Sequence, residues 1–142
     1  MKTARLVWAL FGLILLDLAA GSSLYAQSVT KKTIEAGDSK VQVNVMGVSA
    51  EIVSVKPYIK AKDGKKGNLW LDVVVKNTGS EPQAYSVFGQ GKTMSGGWIG
   101  GSLKAPETGK LDPGKETVAR LNTRYKADAV PKEIRVDVLP PQ

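Results

Sequence analysis

With no cysteine and no histidine among its 142 residues, this chain can do chemistry only with carboxylates, lysine and arginine, hydroxyls and aromatic rings. Disulfides, thiolate or imidazole metal sites and Ser-His or Cys-His nucleophile systems are excluded. The acids Glu51, Asp72, Glu116, Glu133 and Asp137 fall at alternating positions or turns, where carboxylates solvate a sheet, and not in the facing pair a glycosidase needs. Residues 63–68 loosely resemble a calcium loop, but Lys65, Lys66 and the lack of a closing Glu argue against one. The run Gly89-Gln90-Gly91-Lys92-Thr93 invites a phosphate-loop reading. The first Gly of Gly-x4-Gly-Lys-Thr would fall on Ser86, however, and the run leads into more glycine instead of a helix. The expectation is a protein that is not an enzyme and holds no cofactor and no metal.

What remains is recognition. Lys56, Lys60, Lys62, Lys65 and Lys66 cluster with Tyr58 and Trp70 around a hairpin. If Pro57, Ile59 and Ala61 point inward with Leu71, Val73 and Val75, an outer face pairs Tyr58 with Val74, Lys60 with Asp72 and Lys62 with Trp70. That predicts a Lys60–Asp72 ion pair and Lys62 lying over the Trp70 ring. Trp98 sits in a second region, residues 89–101, which holds six of the fifteen glycines. Glycine inside strands marks bulges or close backbone approach, so the expectation is an irregular strand pair with Trp98 plugging the interior. The alternative is a mobile loop laying Trp98 against a partner or a sugar ring. The candidate binding residues are thus Tyr58, Lys60, Lys62, Trp70 and Trp98.

These side chains must be positioned by strands. Val41, Val43 and Val45 alternate with polar residues, and Val48, Ala50 and Ile52 continue in even positions. Val53, Val55, Ile59 and Ala61 then take odd ones, a phase flip near Ile52 that a bulge or a crossing between sheets would cause. Further strands are expected over 69–76, 83–88, 97–103, 115–123 and 133–139. Turn chemistry separates them: residues 63–68, residues 77–82, and Asp112-Pro113-Gly114, where Pro fixes one central φ and Gly takes the positive next one. About seven short strands bounded by turns favour a two-sheet antiparallel sandwich in an all-β domain over residues 41–142. Residues 27–40 are polar and are expected as a loose arm.

Ahead of that arm, residues 1–26 read as a secretory signal peptide. Lys2 and Arg5 precede an apolar run from Leu6 to Leu16, and small or polar residues follow from Ala19. The run is shorter than the ~20 residues a bilayer requires, so no stable membrane anchor is expected after cleavage. The composition, 42% hydrophobic and 23% charged, is globular.

The stretch Leu71-Asp72-Val73-Val74-Val75-Lys76-Asn77-Thr78-Gly79, followed by Leu111-Asp112-Pro113-Gly114-Lys115-Glu116, resembles the layout of small exported bacterial immunoglobulin-like domains, FxLYD-type modules among them. The Phe-x-Leu-Tyr-Asp signature itself is absent. The resemblance implies an immunoglobulin-like β-sandwich that serves as a binding or assembly module without catalytic residues. Together with the leader, it points to a secreted protein of the periplasm or the extracellular space that recognises a protein or an acidic cell-envelope component. The alternative is a carbohydrate-binding module using Trp70 and Trp98 as platforms on a polysaccharide. A net charge of +7 supports acidic partners, and export argues against nucleic acid.

Overall fold

A computed structural model describes residues 29–61 and 63–142, so the expected leader over 1–26 and Lys62 lie outside the described residues. Eight strands follow one another: β1 (Val29–Ala36), β2 (Ser39–Met46), β3 (Ala50–Lys60), β4 (Gly67–Asn77), β5 (Tyr85–Lys92), β6 (Trp98–Ala105), β7 (Glu116–Ala127) and β8 (Glu133–Leu139). There is no helix among the described residues. The strands form a five-stranded sheet in the order β1-β2-β8-β5-β6 and a three-stranded sheet in the order β3-β4-β7, stacked as a β-sandwich.

The alternation explains the stacking, because side chains on a strand point to opposite faces with period two. Val41, Val43 and Val45 of β2, Val87 of β5 and Ile134, Val136 and Val138 of β8 are buried from one side. Leu69, Leu71, Val73 and Val75 of β4, with Ile52, Val55, Ala119 and Leu121, meet them from the other. From Gly67 to Asn77, β4 buries every second residue along its whole length, as befits the central strand of its sheet.

Three expectations are corrected. Residues 29–36, expected in a loose arm, form β1, which pairs antiparallel with β2 from Val29↔Met46 to Ala36↔Ser39. Among the described residues the strands number eight, where about seven were expected. The sandwich is not wholly antiparallel either, since β2 runs parallel to β8, from Lys40↔Glu133 to Val45↔Val138. Edge position explains why β1 reads as an arm: only Ile34 and Ala36 are half-buried, and Lys31 and Lys32 keep an open edge from pairing further.

The phase flip near Ile52 is a bulge. The β3–β4 register shifts between Ile52 and Ser54, leaving Val53 as the extra residue, 43% exposed. A second irregularity falls in β7, where Asn68 faces Lys126 but Trp70 faces Asn122. Arg124 takes a positive φ of 62° there, and its N–H donates to Asn122 Oδ1 at 2.9 Å. Thr123, fully buried, donates to the Leu69 carbonyl at 2.8 Å. The bulge thus satisfies its own displaced backbone, as buried polar groups require.

The glycine-rich region is not irregular. β5 and β6 pair without a break from Tyr85↔Ala105 to Lys92↔Trp98, and the phosphate-loop look-alike is part of strand β5. Gly89 and Gly91 point inward, where a Cβ on Gly89 would collide with Leu121 and Leu71 and one on Gly91 would press on Leu69. These glycines are small because leucines of the opposite sheet fill the space, a pairing of small with large that native packing density demands.

The two turn motifs behind the family resemblance are bonded to each other. Asn77, fully buried at the end of β4, donates from Nδ2 to the carbonyls of Glu81 and Leu111, each at 2.8 Å, while its Oδ1 accepts from Gly79 N–H at 2.8 Å. Its backbone completes the link: Asn77 N–H donates to Lys115 O at 3.0 Å, and Gly114 N–H donates to Asn77 O at 2.8 Å.

Candidate functional site

The three-stranded sheet turns its outer face to solvent through β3, β4 and β7. Adjacent rows across it are Tyr58–Trp70–Asn122 and Lys56–Asp72–Arg120. Tyr58 and Trp70 are therefore direct cross-strand neighbours, the pairing by which aromatic side chains stabilise a sheet face. Asp72 organises the neighbouring row: its Oδ1 accepts from Tyr58 Oη at 3.2 Å and from Arg120 Nε at 3.1 Å. The Asp72 side chain is 21% exposed and Arg120 67%, so the carboxylate is set into the sheet while the guanidinium stands over it. Lys60 Nζ lies 5.3 Å from the centroid of the Trp70 ring, an attraction of about 0.5–1 kcal/mol at an exposed site.

Against the sequence-based pairing, Tyr58 faces Trp70 instead of Val74, and Lys60 faces Asn68 instead of Asp72. Asp72 takes Arg120 as its ion partner, not Lys60, and the cation over Trp70 is Lys60. The reason is the hairpin, whose last pair is Lys60↔Asn68 instead of Lys62 with Trp70, so a loop of the same length begins two residues earlier in the chain. An even shift of register keeps every side chain on its expected face while changing its partner. Lys62, expected over Trp70, lies outside the described residues.

The electrostatics follow from this geometry. Burial raises the Tyr58 phenol above the ordinary tyrosine value, the Asp72 charge and hydrogen bond raise it further, and Arg120 pulls it back. The hydrogen bond from Arg120 to Asp72 raises the guanidinium in turn. Since the folded state holds the Tyr58 proton more tightly than the unfolded chain, its contribution to stability is complete below about pH 10. That contribution is lost as pH rises through the folded-state value. An Asp72→Asn variant is expected to titrate Tyr58 at lower pH than wild type, because the anion is gone and Arg120 remains. Alkaline NMR titration of ring-labelled tyrosine reads this directly; an unchanged or higher Tyr58 midpoint would contradict the arrangement.

Trp98 is elsewhere. It neither plugs the interior nor lies in an irregular loop, but stands half-buried on the outer face of the five-stranded sheet. The Arg135 guanidinium is 4.2 Å from its ring centroid and Lys92 Nζ is 6.0 Å away. The five residues expected to bind thus divide: Tyr58, Lys60 and Trp70 come together, Trp98 is on the opposite side of the sandwich, and Lys62 is not described. The sequence offers Asp72 as an ion-pair partner for Lys60 and singles out neither Arg120 nor Arg135. Their outward parity on alternating strands is visible in the sequence, but their partners come from strands 48 and 37 residues away. What the Tyr58–Trp70 face offers chemically is recognition: two adjacent aromatic side chains, a cation fixed over one of them, and further cations at Lys56 and Arg120.

No protein-family model matches the chain, and no curated protein and no solved structure is similar enough to match it.

Proposed function

We propose that this chain is an exported, non-enzymatic immunoglobulin-like module that binds an acidic protein or cell-envelope component through the outer face of its three-stranded sheet. The observation that carries the reading is the Tyr58–Trp70 pair, half-exposed side by side and flanked by Lys56, Lys60 and Arg120. Aromatic anchors bordered by cations have the composition of a binding hot spot for an acidic surface. The strand arrangement supports the immunoglobulin-like part. β3, β4 and β7 take the places of strands A, B and E, and β6, β5 and β8 those of C′, C and F. The place of G, beside F, is filled by β2, which runs parallel to its neighbour. Trp70 and Trp98 are on opposite outer faces, so they cannot serve one polysaccharide chain as a joint platform.

The test is capture from a cell-envelope extract by the wild-type protein and by Tyr58→Ala with Trp70→Ala. Loss of two central aromatic anchors is expected to weaken capture of the specific partner by at least about 30-fold, the effect of one hot-spot residue. Retention of every captured component by the double variant would rule this face out.

A further inference from the structure

The outer face of the five-stranded sheet carries a second cationic feature built differently from the first. Arg135 on β8 has acids two positions away on either side, Glu133 and Asp137, all three on the same face. Both acids are engaged elsewhere: Glu133 Oε2 meets Lys92 Nζ at 2.7 Å, and Asp137 Oδ1 accepts from Asn44 Nδ2 at 2.7 Å. Among the described residues, no carboxylate lies within 4.0 Å of the Arg135 guanidinium. The guanidinium instead lies against the Trp98 ring. Stacking of this kind holds the fork in place and leaves its in-plane donors open to a planar, bidentate acceptor.

Arg135 also stands at the wall of a cleft of about 510 Å³ that opens over β1, β2 and β8. That volume falls within the usual range for a small-ligand site, roughly 300–1,000 Å³. Lys31 lies across the cleft from it, Gln42 and Asn44 supply neutral amides, and Met46 supplies an apolar wall. In register, Arg135 has Gln42 on one side and Gln90 on the other. An unpaired fork between amides that both donate and accept suits a ligand carrying carboxylates among hydroxyls. Lys31, Lys32 and Arg135 outweigh Asp137 in the lining, which favours an acidic sugar over a neutral one, while the amides favour a ligand with hydroxyls over bare phosphate.

We propose that this cleft binds a uronate oligosaccharide, with the sugar carboxylate held by the Trp98-stacked Arg135 and the sugar hydroxyls by Gln42, Asn44 and Asp137. The site is separate from the Tyr58–Trp70 face, and each can fail without the other. Calorimetric titration with oligogalacturonate is expected to show binding that Arg135→Gln weakens about tenfold or more. Arg135→Lys keeps the charge but loses the fork, and gives an intermediate loss. Trp98→Leu frees the guanidinium and weakens binding severalfold, while Tyr58→Ala with Trp70→Ala leaves it unchanged. A neutral maltooligosaccharide and inorganic pyrophosphate are expected to bind at least about tenfold more weakly than the uronate. Thermal melts that match wild type establish that the variants are folded, as expected for side chains outside the core. Absence of oligogalacturonate binding, equal binding by a folded Arg135→Gln variant, or tighter binding of pyrophosphate would each overturn the proposal.

Discussion

An Asn77→Ala variant is expected to lose about 3–4 kcal/mol of stability, the cost of leaving two to three buried or half-buried polar groups without partners. The native side chain supplies Nδ2 to the carbonyls of Glu81 and Leu111 and takes Gly79 N–H on its oxygen, with Gln83 Nε2 at 3.4 Å as a weaker fourth contact. The bond to Leu111 is buried, so water cannot replace it, whereas the Glu81 carbonyl is partly accessible and loses less. Small domains have only about 5–15 kcal/mol in total. The change therefore lowers the melting temperature by roughly 10 °C or more. Asn77→Asp keeps the acceptor for Gly79 but turns a carboxylate toward two carbonyls, and is expected to fall at least as far. Thr78→Ala, exposed one residue on, should stay within about 0.5 kcal/mol of wild type. Urea unfolding of the three variants checks the series. If Asn77→Ala unfolds at the wild-type midpoint, the turn-to-turn link contributes nothing and the two motifs are merely neighbours.

That asparagine illustrates what was legible in the sequence. Asn77-Thr78-Gly79 and Asp112-Pro113-Gly114 are recognisable as turns from their residues alone, because Gly and Pro act on local φ. That one turn is hydrogen-bonded to the other, 34 positions away, is a property of the assembled sandwich. Strand faces were equally legible: Val41, Val43 and Val45, Leu71, Val73 and Val75, and the phase flip at Ile52 all report burial with period two. Partners were not. A displacement of four residues preserves parity, so Tyr58 kept its face and exchanged Val74 for Trp70. The same limit hid the Trp98–Arg135 stack, since nothing local to β6 says that β8 lies two strands away. Gly89 and Gly91 misled for a related reason. Their smallness answers Leu71, Leu121 and Leu69 of the facing sheet, whereas a local reading finds only the loss of strand propensity.

Truncation measures what each N-terminal strand contributes, and removal of β1 separates an arm from a strand. If residues 27–40 were a loose arm, their removal would be silent. With β2 between β1 and β8, a chain beginning at residue 47 is expected not to fold. It lacks Val41, Val43 and Val45, which are 0%, 3% and 6% exposed, and full burial of a valine side chain contributes about 1.5–3 kcal/mol. Three such residues amount to roughly 5–9 kcal/mol, most of the net stability of a typical domain. The loss also strips one edge of β8 of its hydrogen-bonding partner, which invites aggregation. A chain beginning at residue 38 loses only β1, with its half-buried Ile34 and Ala36, and is expected to fold with a lowered midpoint. Circular dichroism with urea titration distinguishes the three lengths. Because β2 lies parallel to β8 and is joined to it by no hairpin, a synthetic peptide spanning Ser39–Met46 should be able to occupy the vacated edge from outside. Restoration of a cooperative transition on adding that peptide would identify the missing strand as the cause of unfolding. A chain from residue 47 that melts like the full domain would show that β2 covers the core without being part of it.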